Sequence, residues 1–444
     1  MTEGLTQRLG RFVAGIAAQG APAPVRDAAK DGIIDAVGCM IAGSTDPAVA
    51  IVLEALPPAP GAARLWFSER KVSACDAALV NGIAAHVLDY DDSCLRGHPS
   101  AVLVPAIYAA AQERGASGAK LLDAYVAGYE TWAELVDRES EFHQMKGWHP
   151  TGIFGSIGAA AACAVLYDLD AERSAYAIGL GASQGAGLMS NFGAMSKSFH
   201  VGRAAQAGVV SARLAAHGFT AAPDAVEHPR GFLKAVSPTG KVDTARPADG
   251  LGREWQLVQR RVNLKKYPTC YYTHRALDAV LALLAARPVS AGEVERIEVT
   301  LSEEHSLALR NANPQTALAA KFSMQFAMAC AVLAGRVSLA ELTDDFVRRP
   351  EIQQLMRKVD IAIDTEYDPQ TPGAAHADRV TITTRDGARR SESVHRASGH
   401  AQHPLAPASL KAKFLECLAF GGFAGDAESF HAELARLERV PVLA

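Results

Sequence analysis

The sequence predicts a mostly α protein: a large all-helical domain with a smaller α+β domain late in the chain. Ala-rich segments with apolar residues three and four apart run from the start to about Leu264, the spacing of a helix that buries one face. Alternation of polar and apolar residues, the strand pattern, begins only after Trp255. The length, 444 residues, exceeds one small core and suits two or three domains of roughly 150 residues each.

The opening stretch, MTEGLTQRLGRFVAGIAAQG, reads as an amphipathic helix and not a signal peptide, since it lacks a sustained apolar core and a cleavage site. Further helices are expected over Pro24 to Ala42, Cys75 to Asp89, Ala119 to Leu135, Gly152 to Tyr167 and Arg203 to His217. Gly and Pro punctuate them, in GHPS at Gly97, RGASG at Arg114, GWHPTG at Gly147 and AHGF at Ala216. Asp170, ahead of AERSAYAIGLGA, is an N-cap with Glu172 in the first turn. The most apolar stretch, Gly152 to Leu169, is only about long enough to span a bilayer. Its Ala and Gly content predicts close helix packing instead, so no membrane partner is expected.

Later segments read differently. Glu295 to Leu301 and Asp360 to Tyr367 alternate as half-buried strands do, and Arg379 to Thr384 with Arg389 to His395 form a hairpin about Asp386-Gly387. Helices over His274 to Ala286 and Phe322 to Leu333 interleave with them. Beyond Pro407 the chain turns helical again, as ASLKAKFLECLAF, and can return to the first bundle. These readings divide the chain into a first helical part at 1–264, an α+β part at 265–398 and a helical return at 399–444.

Composition narrows the function. With 49% hydrophobic and 21% charged residues the chain is an ordinary globular one. A formal charge of -4 gives no general attraction to nucleic acid. The seven cysteines are scattered, odd in number and never spaced as CxxC, which argues against a disulfide framework or structural zinc. It points to a reducing compartment, the cytoplasm. No HExxH, Walker loop or GxSxG occurs, and GLGASQGAG at Gly179 lacks the GxGxxG spacing, so it reads as a helix-packing segment.

Four clusters remain that can carry chemistry. In NGIAAHVLDYDDSCLRGHPS a helix to Asp89 puts His86 and Asp89 on one face. Asp89, Asp91 and Asp92 crowd together and require cations or donors around them, and His98 stands before Pro99. MKGWHPTG repeats the His-Pro device at His149, again opening an apolar helix. In NFGAMSKSFHVGRAA, a helix starting near Ser196 places Lys197 and His200 on one face, with Arg203 one step further. LKKYPTCYYTH offers Lys265, Lys266, Cys270, Tyr271 and His274 at the expected domain junction. His395, His400 and His403 lack a matching carboxylate spacing, so no metal is expected. His, Lys, Asp and Tyr groups without a cofactor motif suit acid–base work on a small polycarboxylate, where Lys and Arg clamp carboxylates and steady an enolate-like charge.

Taken in order, HVLDYDDS with GHPS, GWHPTG, NFGAMSKSFHVGRAA, KKYPTCYYTH and GHAQHPLAPASLKAKFLECLAF resemble the MmgE/PrpD family over nearly the whole chain. The resemblance implies a helical domain built from both ends of the chain, a smaller α+β lid, a homodimer and cofactor-free enzymes of di- and tricarboxylates. Those are 2-methylcitrate dehydratases, cis-aconitate decarboxylases and iminodisuccinate epimerases. It places Asp89, Ser93, His98, His149, Lys197 and Lys265 at positions that line the site in the decarboxylase branch. That branch has Thr where Ser93 stands, a change that keeps the hydroxyl. It has His where Cys270 stands and Tyr where Phe326 stands, losses that tell against decarboxylation. The KKYPTCYYTH version is closer to the epimerase-like members, so the resemblance implies epimerisation, with dehydration as the alternative and decarboxylation or a non-catalytic binding protein behind it. The expected catalytic groups are His98, His149, Lys197 and Asp89. Lys197 serves either proton transfer or charge stabilisation. The expected substrate-binding groups are Ser93, Lys265, Lys266, Arg203, His200, Cys270, Tyr271 and His274, with no metal and no cofactor.

Overall fold

The computed structural model describes residues 3–369, 371 and 373–443. Helix makes up 54% and strand 10%, so the mostly helical expectation holds. The chain divides into two compact units, Met1–Val262 with Pro407–Ala444, and Asn263–Ala406.

In the first unit α1 (Leu5–Gln19) buries Leu5, Leu9, Val13 and Ile16, the stripe its spacing dictates. It is followed by α2 (Ala23–Gly43) and α3 (Pro47–Ala55), then by a short antiparallel pair, β1 (Pro60–Arg64) and β2 (Lys71–Val72). No strand was expected in this half; these two are too short to show alternation. Helix α4 (Ala74–Val87) starts on Ser73, whose side chain accepts from the Asp76 amide. Helices α5 (Pro99–Arg114), α6 (Gly118–Val136) and α7 (Pro150–Leu166) follow. Every residue of α7 is buried, which is why its apolar run reflects core packing. Helix α8 (Ala171–Ala182) is capped as expected by Asp170, which accepts from the Arg173 amide at 2.8 Å. Helix α9 (Ser196–Ala216) starts at the Ser196 that its basic cluster required.

Small residues set the spacing that matters for function. Where α4 crosses α9, a Cβ on Gly82 would lie 2.8 Å from the Gly202 Cα, and one on Gly202 would lie 2.3 Å from the Leu79 carbonyl oxygen. Only glycine allows that approach, and it brings the C-terminal end of α4 beside the first turn of α9. The segment Pro407–Phe420 packs on α2, with Phe414 against Gly38. No single helix among the described residues is long and apolar enough to cross a membrane.

The second unit holds a four-stranded sheet in the order β4 (Val359–Asp364), β3 (Val294–Ser302), β5 (Asp378–Thr384), β6 (Arg389–Val394). The β3/β4 pair is parallel and the others antiparallel. The β5/β6 turn places Gly387 at φ +83°, the conformation for which Asp-Gly is suited. Strand β4 stops at Asp364, short of the expected Tyr367. Helices His274–Ala286 and Met324–Ala334 form a common core with this sheet through Leu277, Val280, Val299, Met328 and Val380.

Candidate active site

The site grows from the end of α4. The helix stops at Val87, and Asp89 takes φ +53°, a left-handed conformation that Asp tolerates better than most residues. Asp89 therefore leaves the helix face expected for it and turns toward α9. Its Oδ1 accepts from Lys197 Nζ at 2.6 Å, with both side chains buried. A pair held out of water at this distance is stronger than its surface equivalent.

Asp91, fully buried, joins two histidines. Its carboxylate oxygens each lie 3.0 Å from His86 Nδ1, and Oδ2 lies 3.1 Å from His98 Nδ1. Burial pushes the Asp91 carboxyl up, but the two imidazoles outweigh it and hold the group well below the usual range. Burial also lowers His86 to about 4, against the pull of Asp91, so His86 is neutral and donates Nδ1–H to a carboxylate. His98 Nδ1 is 2.8 Å from the Asp92 carbonyl oxygen. A carbonyl only accepts, so this nitrogen carries a proton and donates it.

Asp92 takes a third environment. Ser100 Oγ bonds Oδ2 at 2.6 Å and the Ser100 amide donates to Oδ1, while Tyr125 OH lies 2.6 Å from the same hydroxyl. Burial pushes the Asp92 carboxyl well up, against those bonds. Between the acids, the Tyr90 carbonyl accepts from Lys413 Nζ at 2.7 Å, and that ammonium pairs with Asp35 Oδ1 at 2.5 Å. Thus the crowded acids each have a distinct partner, as their mutual repulsion demanded.

His98 and His149 stand at the N-caps of α5 and α7, each with proline in the first turn. Proline favours the first helical position and pushes the preceding residue toward extended backbone, so each imidazole is delivered at a helix start. His149 is 2% exposed, and its amide donates to the Gly187 carbonyl. Its Nδ1 is 3.1 Å from His200 Nδ1. Gly187 has φ +129°, and a Cβ there would lie 3.1 Å from His200 Nδ1 and 3.4 Å from His149 Cβ. The Phe192 ring meets His149 edge-on at 4.9 Å and carries Lys197 Nζ at 5.1 Å. His86 lies 4.5 Å from His98 and 6.3 Å from His149 between ring centroids. Burial, then the charge of Lys197, keeps His149 well below the ordinary histidine value and lowers His200 as well.

Asp89, His98, His149, Lys197 and His200 therefore gather in the first unit, and Ser93 is half-buried in the same loop. Arg203 does not join them. It is exposed and its guanidinium bonds Gln206, because two steps of three residues drift about 120° around a helix. His86 and Asp91 were not among the expected site residues. The signal was the three acids within four positions, but a bridge from helix to following loop has no periodicity to reveal it.

In the second unit Lys265 is buried, and Lys266 is exposed with Nζ 3.1 Å from Asp278 Oδ1. Cys270 and Tyr271 are half-buried, while His274 is fully buried, with Nε2 3.3 Å from the Thr269 carbonyl. Phe326 lies in the core against Phe346. Among the described residues only His86, Asp91 and His98 bring potential metal-ligand atoms together, all within 4.8 Å. In the structure Asp91 pairs with both of these imidazoles. One cavity of the first unit, about 810 Å³, is lined by other residues, among them Trp66, Tyr108, Phe423 and Phe430, and by none of these imidazoles.

Similarity to known proteins identifies the family. The family model described as MmgE/PrpD N-terminal domain matches residues 7–245, and that described as MmgE/PrpD C-terminal domain matches 267–438. A cis-aconitate decarboxylase of Homo sapiens is 27% identical over 354 residues, 76% of this chain and 71% of the relative. One from Aspergillus terreus is 26% identical over 422 residues, 89% of this chain and 86% of the relative. A cis-aconitate decarboxylase-like protein of Aspergillus oryzae is 27% identical over 418 residues, 86% and 84% of the two chains. With both family models matched in order across most of its length, the chain belongs to the MmgE/PrpD family.

Proposed function

We propose that the protein is a cofactor-independent enzyme that forms a carbanion beside a carboxylate of a small di- or tricarboxylate and returns a proton to it. The observation that carries this reading is the buried Lys197–Asp89 pair beside the neutral imidazole of His149. A substrate carboxylate that takes over the Lys197 ammonium from Asp89 gains a fixed cation where enolate charge develops. His98 and His149 are the groups that move the proton. His98 presents Nε2 because its Nδ1 proton is held by the Asp92 carbonyl. Ser93 and Lys265 bind carboxylate in this reading, from their match to the family's site positions.

Epimerisation is the leading outcome, since it needs two bases and His98 with His149 supply them; dehydration uses one as base and the other as acid. A second reading, decarboxylation, is favoured by the names of the relatives. There the carbanion arises by loss of CO2 and takes up one proton. We further propose a homodimer acting in the cytoplasm, its mass to be measured by light scattering.

Proton NMR in D2O on a panel of di- and tricarboxylates that includes cis-aconitate tests the reading. Deuterium uptake with no loss of water or CO2 marks an epimerase. A new alkene with loss of water marks a dehydratase, and CO2 release a decarboxylase. No exchange and no turnover across the panel refutes all three.

A further inference from the structure

We propose that His200 is the proton relay that connects the buried His149 with bulk water. The inference rests on the carbanion reading above, because only a reaction that consumes or releases a proton at His149 needs such a connection. Decarboxylation takes one proton from solvent per turnover. Epimerisation and dehydration leave a base protonated that must be reset.

The geometry is specific. His149 is 2% exposed, whereas His200, on the first turns of α9, is half-buried. Their Nδ1 atoms are 3.1 Å apart. Two bare nitrogens do not bond and two protonated ones repel, so the pair holds one proton on this line. Lys197, His86 and His98 surround His149. Burial discourages it from keeping a second proton, and the charge of Lys197 works in the same direction. Gly187 leaves the space in which the two rings meet, since a Cβ there would lie 3.0 Å from the His200 ring.

The transfer balances. His149 takes the substrate proton on Nε2 and gives its Nδ1 proton to His200 Nδ1, and His200 releases its Nε2 proton to water. Run in reverse, water supplies the proton that quenches the carbanion. The opposite passage, in which His149 Nε2 returns its proton to the carbanion or to a departing hydroxyl while His200 takes one up from water, restores both tautomers. His200 is thus a relay, and not the carboxylate-binding group that its place in the basic cluster suggested.

The test uses His200→Gln and His200→Phe in the full chain, on whichever polycarboxylate the wild type turns over. We expect kcat to fall about tenfold, a modest share of a general acid–base contribution, with KM within about twofold. Millimolar imidazole should restore part of the loss in both variants while leaving the wild type unchanged, and the solvent deuterium isotope effect on kcat should rise. Unchanged kcat, a raised KM with unchanged kcat, or a loss that imidazole does not relieve overturns the relay. If one variant fails to fold, as judged by its thermal transition, the other carries the test. If neither folds, a wild-type kcat that imidazole accelerates overturns the relay, and one that it leaves unchanged supports it. Failure of the carbanion reading shows separately, as a wild type that turns over nothing.

Discussion

The loop from Asp89 to Ser100 and the pair His149–His200 are built on the same device, a His-Pro step that delivers an imidazole at a helix start, yet they end in opposite designs. In the loop the acids are held from several sides: Asp89 by Lys197, Asp91 by two imidazoles, Asp92 by Ser100, and the Tyr90 carbonyl by a lysine from position 413. In the pair the only hydrogen-bond contact of either imidazole among the described residues is the one nitrogen–nitrogen contact between them, and one of the two rings is half-buried. A group with many partners is fixed in place, whereas a group with one partner can change its protonation without rearranging its surroundings. Position is secured on one side of the site and proton exchange on the other.

The largest effect should come from the cation that the two sides share. Lys197→Met leaves Asp89 buried without its ammonium and removes the charge beside His149. Steady-state kinetics should show a loss of about 10²–10³-fold in kcat, and Lys197→Arg should recover part of it. Breaking the loop from outside comes next. Lys413→Met deprives buried Asp35 of its ammonium and the Tyr90 carbonyl of its donor, and urea unfolding should report a loss of about 3–5 kcal/mol. An unchanged midpoint would show that the loop does not depend on this anchor.

Acidity sharpens the same contrast. His86 is lowered from 6.5 to about 4 and His149 well below 6.5, so both stay neutral in the native protein while the unfolded chain takes up protons below about 6.5. Their contribution to stability is complete above that value and is lost as pH falls toward about 4. Thermal transitions measured from neutral to acid pH should decline over this window, and His86→Gln should flatten the decline. The smallest effect belongs to the residue that the fold leaves aside: Arg203→Ala should change kcat/KM by less than about twofold, the range of a surface substitution.

Much of this was readable in the residues. The helices follow from apolar spacing, the Asp170 cap from its position, and the late strands from alternation around Asp386-Gly387. The His-Pro steps and the crowded acids marked the site, because proline at a helix start and unneutralised carboxylates each require a physical answer. What was not readable depends on chain direction beyond an element's end. Extending α4 to Asp89 ignored the left-handed turn that aims its carboxylate at Lys197. Asp91 meets His86 only because the loop folds back on the helix, and Arg203 was lost to the angular drift of an i, i+3 series. Phe326, set against an active-site tyrosine of related enzymes, lies in a packed core, where sequence matching alone could not put it.

The contact between Lys413 and the Tyr90 carbonyl spans 323 positions. During synthesis at about 5–20 residues per second, the ribosome adds that later lysine roughly 16–65 s after it passes residue 90. Nascent chains must therefore wait with an unfinished acid cluster, a nearly complete bundle lacking its keystone. Any chain released before residue 413 is therefore left with Asp35 and the Tyr90 carbonyl lacking their shared ammonium.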